Sequence, residues 1–304
     1  MRKNINLYYQ WGRAGYNELS KLLINILGCY AQAEGYNMKD YTTIFEKVES
    51  TLISAGSANT PVDNIRANLD KFKHLEGKIF SDADYYWVLV YVVFYSGFRA
   101  ATVSAKLDLI RRYFPDYETV AGYDASKVDE ILSDWEMIRN RRKVEACVRN
   151  AQVFKNIVSE YGSFQAYIDS FAPAASFENL MLLKEELEYR FERLGRITTY
   201  HVLTDIGLPV LKPDRVICRI FQRLGLIESG EQLLKAVIQG RKFAQATGYP
   251  IRYIDIVFVA YGQVESQEFG LSSGICLEQN PLCSVCGVTD YCNYYAQNII
   301  RSKP

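Results

Sequence analysis

The sequence predicts an all-α protein. Long stretches place apolar residues at helical spacing, and proline and glycine are sparse inside them. No Asn-Gly pair flanked by alternating residues marks a β-hairpin. No segment repeats at a period of roughly 20 to 50 residues, which excludes a solenoid.

The most loop-like stretch is AGSANTPVDN, residues 55–64. It sets off an N-terminal helical extension, expected within residues 1–80. SDAD at 81–84 then offers Ser81 or Asp82 as a helix cap for the apolar run from Tyr85 to Phe94. The valines of that run would also suit a strand, but the cap and the helical neighbours favour a buried helix. Val128, Ile131, Leu132 and Trp135 fit one helix face. Val144, Cys147, Val148, Ala151, Phe154 and Ile157 fit a second, which Gly162 stops. ENLMLLKEELEYRFERLG reads as a further helix ending at Gly195. KPDRVICRIFQRLGL begins a helix with Pro213 in its first turn and buries Val216, Ile217, Ile220, Phe221 and Leu224.

The apolar fraction of 49% fits a globular protein. Lys+Arg and Asp+Glu balance at 35 each, so no net field draws the chain to nucleic acid. Any such binding has to use local patches and backbone amides. No apolar run reaches the roughly 20 residues of a membrane span, and the N-terminus has no apolar signal region. A cytoplasmic protein with no membrane contact is therefore expected.

Four of the seven cysteines fall within CLEQNPLCSVCGVTDYC, spaced C-x6-C-x2-C-x5-C. In a reducing compartment such clusters bind metal more often than they form disulfides. Structural zinc sites usually show two close cysteine pairs. Here Cys283 and Cys286 form one close pair, with Cys276 and Cys292 on longer arms. One compact loop of this kind suits a cubane iron–sulfur cluster; zinc and a metal-free surface cluster are the alternatives. Cys29, Cys147 and Cys218 lie in apolar helical contexts and read as core.

This cysteine spacing resembles the [4Fe-4S] loop of the endonuclease III and mismatch adenine glycosylase family. RLGRITTYHVLTDIGLPVLKPDRVICRIFQRLGL resembles the helix-hairpin-helix and the Gly/Pro-Asp region of the same superfamily. The resemblance implies a two-lobed helix-hairpin-helix glycosylase fold with a C-terminal iron–sulfur loop. Residues 81–210 would form a six-helix barrel carrying the hairpin. Residues 211–304, with the N-terminal helices, would form the cluster lobe.

A monomer acting on double-stranded DNA is implied. It would flip a damaged or modified base and hydrolyse its N-glycosidic bond. Asp214 would be the catalytic carboxylate, stabilising positive charge on the sugar or orienting water; a plain helix cap is the other reading of this residue. Gly195, Arg196 and Thr198 of the hairpin would meet a DNA phosphate, since glycine permits close approach and helix amides attract anions. Bifunctional relatives keep a Schiff-base lysine where this chain has Ile197, which argues for a monofunctional enzyme. Arg193 stands where the first hairpin glycine is usual. A lyase using another amine, a glycosylase of hypermodified bases in foreign DNA, and a non-catalytic DNA-binding homologue are the rival readings.

A second resemblance covers most of residues 97–208. GFRAATVSAKLDLIRRYFPDYETVAGYDASKVDEIL and MIRNRRKVEACVRNAQVF look like 3-methyladenine glycosylase I. That family's base-reading Glu and Trp align with Val92 and Ala100. Its Cys/His zinc site has no counterpart, because His74 and His201 are the only histidines. The turn SGFR would supply a DNA wedge from Phe98 or Arg99, with Ser96 beside them; an ordinary helix-end turn is the other reading. The basic run RNRRK offers Arg142 and Lys143 to phosphates, although such runs are usually solvated. Tyr91 and Tyr95, one helical turn apart, would sandwich a flipped base; core packing is the competing reading.

Overall fold

The structure, a computed structural model, describes residues 38–74 and 77–300. The expectation for Cys29 lies outside these residues. The regular elements of the described chain are helices, with a lone β-bridge between Ser266 and Leu271 and an irregular stretch over 270–288.

Two helices precede the residue-81 boundary, α1 (Met38–Gly56) and α2 (Val62–Asp70). The buried apolar helix follows as α3 (Asp82–Tyr95). Ser81 caps it in a box closed by Asp84, which explains why its valines settle as helix. Four shorter helices come next: α4 (Ala100–Ser104), α5 (Leu107–Tyr113), α6 (Tyr117–Ala121) and α7 (Ala125–Ser133). The long α8 (Arg141–Tyr161) starts at the Asn140 cap and ends at Gly162, whose φ of 86° is left-handed. It packs on α3 and α6.

The chain continues through α9 (Phe164–Ser170), α10 (Phe177–Arg190) and α11 (Thr198–Asp205). After these come α12 (Arg215–Arg223), α13 (Leu233–Thr247) and α14 (Ile251–Gly262). α1 packs on α13 and α14, so the N-terminal helices cover the C-terminal ones. α12 lies so close to α14 that a Cβ on Gly262 would sit 2.7 Å from Val216.

Three boundaries differ from the periodic pattern. Trp135 does not extend α7; the helix stops at Ser133 and Trp135 is 78% exposed. Asp134 ends it by accepting the Glu136 amide at 2.8 Å and the Tyr113 hydroxyl at 2.8 Å. α10 stops at Arg190, short of Gly195. Buried Asn150 of α8 takes both backbone groups of Glu192, which draws that residue out of the helix. Pro213 precedes α12 and is not in its first turn; Asp214 itself is the cap.

Candidate active site

Asp214 begins the site because its local geometry is fixed first. Its Oδ1 accepts the amides of Val216 at 2.9 Å and Ile217 at 3.1 Å. The other oxygen, Oδ2, stands 3.3 Å from the Lys212 ammonium. The carboxylate is thus anchored at a helix N-terminus and partly open to solvent.

The hairpin lies across from it. Arg193 takes a left-handed φ of 65°, which explains why glycine is usual there; a non-glycine residue is strained by about 1 kcal/mol or more. Thr198 closes the turn. Its hydroxyl accepts the Gly195 amide at 2.6 Å and donates to the Arg193 carbonyl at 3.1 Å. The Thr198 hydroxyl is therefore a clasp within the turn. A Cβ on Gly195 would meet nothing closer than this hydroxyl at 4.0 Å. The chain's own packing does not demand glycine there. A cavity of about 560 Å³ is shared by Arg196 and Ile197 of the hairpin and by Asp214, Arg219 and Gln222 of the α12 region. The hairpin and the aspartate thus face one cleft. Glu231 also lines it and lies 3.8 Å from Arg196.

Tyr91 and Tyr95 do not line this cleft. They meet edge to face along α3 at 6.0 Å between ring centroids, and both lie against the His201 ring. Tyr95 shares a hydrogen bond with Ser104. The Tyr91 hydroxyl donates to Asp205 Oδ2 at 3.0 Å, and burial, reinforced by that carboxylate, pushes its pKa far up. Asp205 also takes His201 Nε2 at 3.2 Å and Arg252 at 3.1 Å. The Arg252 contact is an ion pair to Asp205 Oδ1, which makes no hydrogen bond, and Arg252 Nε makes none either. Burial would raise the Asp205 carboxyl, but His201 and Arg252 more than reverse it, and its pKa falls below the usual range. Arg252 pairs next with the fully buried Asp255, whose Oδ1 accepts the Lys212 amide at 2.9 Å.

The result is a run of alternating charges: Asp214, Lys212, Asp255, Arg252, Asp205. It joins the tyrosine pair on α3 to the cap of α12. None of the last four was singled out from the sequence. Their signals were the His201–Asp205 spacing of four, the Arg252–Asp255 spacing of three, and a single acid inside the apolar run of α14.

The SGFR turn projects outward. Gly97 has a φ of 76°, Phe98 is 40% exposed, and Arg99 is exposed. Lys143 requires a correction. It is 6% exposed and is not offered to phosphates. Its ammonium caps the end of α3, donating to the carbonyls of Val93, Phe94 at 3.3 Å and Ser96 at 2.6 Å, and lies 5.3 Å from the Phe98 ring. α8 turns this residue inward, so the RNRRK run does not form a single exposed face. Arg142 is exposed, while Arg141 is paired with Asp129. Of the two base-reading positions of the methyladenine family, Val92 is buried in the core and Ala100 is exposed at the start of α4.

The four clustered cysteines are free thiols, as are Cys147 and Cys218, which are buried as expected. Among the described residues no three His, Cys, Asp or Glu side chains converge on a single-ion site. Tyr261 donates its hydroxyl to Cys286 Sγ at 3.1 Å, Arg223 reaches Cys276 Sγ at 3.2 Å, and the Tyr295 amide reaches Cys292 Sγ at 3.4 Å. Burial raises the thiols of Cys276, Cys283 and Cys292, and for each the neighbouring cysteines add to it.

Residues 77–193 match the family model described as methyladenine glycosylase. Among solved structures, 3-methyladenine DNA glycosylase I from Staphylococcus aureus is 23% identical, over 47% of this chain and 85% of its own, with a TM-score of 0.39. The 8-oxoguanine DNA glycosylase of Thermotoga maritima is 17% identical, over 74% of this chain and 96% of its own, with a TM-score of 0.45. Endonuclease III in a trapped covalent DNA intermediate is 16% identical, over 76% of this chain and 95% of its own, with a TM-score of 0.50. Residues 77–193 are thus similar to the methyladenine glycosylase family, within a chain whose fold is of the helix-hairpin-helix glycosylase type that endonuclease III shows.

Proposed function

We propose that this DNA glycosylase flips a damaged or modified base from double-stranded DNA and hydrolyses its N-glycosidic bond, leaving an abasic site. The observation that carries this reading is Asp214, anchored by two amides at a helix start and facing the cleft that the hairpin also lines. A fixed carboxylate there stabilises positive charge developing on the sugar. Gly195 leaves room for a phosphate to approach the backbone, and Arg196 adds a cation at the rim. Mass spectrometry of bases released from a panel of modified duplexes tests the reading; no release from any member contradicts it.

Ile197 at the hairpin favours water as the nucleophile. One observation favours lyase chemistry instead: the Lys212 amine beside Asp214. Borohydride trapping on the correct duplex separates the two.

The donor set of Cys276, Cys283, Cys286 and Cys292 fits a [4Fe-4S] cluster, since three of the four sulfurs already have a hydrogen-bond donor. When bound, the cluster would supply a covalent tie across loop 276–292 and a one-electron couple. No helix among the described residues is long and apolar enough to cross a membrane.

A further inference from the structure

We propose that Arg223 and Tyr261 are dedicated donors to the cysteine sulfurs, and that together they raise the reduction potential of the cluster held there. This rests on the four-cysteine cluster reading above. The Arg223 guanidinium is committed to the loop. It reaches Cys276 Sγ at 3.2 Å, the Leu277 carbonyl at 2.7 Å and the Glu278 carbonyl at 3.1 Å. Its plane lies 4.3 Å from the centre of the Tyr294 ring, which holds it in place. Glu278 contributes its carbonyl to this contact and not its carboxylate.

Tyr261 is 1% exposed on α14, and its hydroxyl donates to Cys286 Sγ at 3.1 Å. The Tyr295 amide does the same for Cys292. A neutral thiol is a poor acceptor. A guanidinium and a buried phenol aimed at sulfur gain strength only if that sulfur is anionic, as a metal-bound thiolate is. Adding an electron to a cluster increases its negative charge, which donors and a nearby cation stabilise. Removing either donor therefore makes reduction harder.

The test uses the full chain purified without oxygen, with iron content and midpoint potential measured on each protein. Arg223→Gln is expected to move the one-electron equilibrium about tenfold against reduction, a fall of about 59 mV. Arg223→Lys keeps the charge without the fork and is expected to fall less. Tyr261→Phe keeps the ring and its packing, so it is expected to load about four irons and still fall in potential. It decides the matter whether or not Arg223→Gln loads. A loaded Tyr261→Phe protein with the wild-type midpoint overturns the proposal. Wild-type protein with zinc or no iron overturns the cluster reading beneath it, and shows this before any variant is made.

Discussion

The Lys212 ammonium stands 3.3 Å from the free oxygen of Asp214, while the Lys212 amide is held at 2.9 Å by buried Asp255. The backbone just before the α12 cap is thus tied to the α14 core. Asp255 also pairs with Arg252, so truncating it takes one of two carboxylates from a buried guanidinium and leaves the Lys212 amide without its acceptor. Asp255→Ala is expected to lose about 3 kcal/mol or more of stability, the usual effect of breaking a buried pair. Urea unfolding followed by circular dichroism measures it; a loss under about 1 kcal/mol would mean the pair is dispensable.

Asp205 gives a pH dependence. Burial pushes its carboxyl up, but His201 and Arg252 pull the folded-state pKa below that of the unfolded chain. A group depressed in this way contributes stability that is present above about pH 5 and is lost as pH falls toward the folded pKa. Burial raises Asp255, so that residue works in the opposite direction. Wild-type protein is expected to lose stability on acidification more steeply than Asp205→Asn. Parallel urea midpoints from pH 6 to pH 3 for the two proteins would remove Asp205 from the acid response.

Lys143 and Arg142 are neighbours in sequence with different expected roles. Burial, and then Arg193, bring the Lys143 amine down to about 8. Lys143→Met is expected to lower stability by about 1 to 3 kcal/mol, since it strips donors from the carbonyls ending α3. Arg142→Ala is expected to leave stability unchanged and to flatten the salt dependence of DNA binding by about one unit of slope. Thermal melts and salt titrations on both variants check this. A flattened slope for Lys143→Met without a stability loss would reverse the assignment.

Metal content tests the C-terminal loop. Protein purified anaerobically is expected to be brown and to carry about four irons per chain. Cys286→Ser is expected to lose iron and solubility together, because ligand loss also loosens the segment the metal organises. Stoichiometric zinc in its place would identify a different site.

The helical class, the capped α3 and the Asp214 helix were legible because periodicity and capping are local. The hairpin was legible as a short motif. The ends of α7 and α10 were not, because a side chain acting on backbone decides each: Asp134 for one and Asn150 for the other. Lys143 was misjudged because a basic run does not reveal which member the helix turns inward. The charge run from Asp214 to Asp205 joins residues on α11, α12 and α14 and the strap before α12. No sequence window contains it; of its pairs only Arg252 and Asp255 have helical spacing.

Asp214 is proposed to stabilise the positive charge that develops on the sugar as the base departs. Asn caps helices about as well as Asp, so Asp214→Asn keeps the fold and removes the charge. The most direct measurement is single-turnover base release on the duplex that the panel identifies, by wild-type and Asp214→Asn protein. The expected result is a rate lower by about 100-fold or more, with DNA binding retained and strand breaks appearing only after alkali. Wild-type rates from the variant would contradict the account.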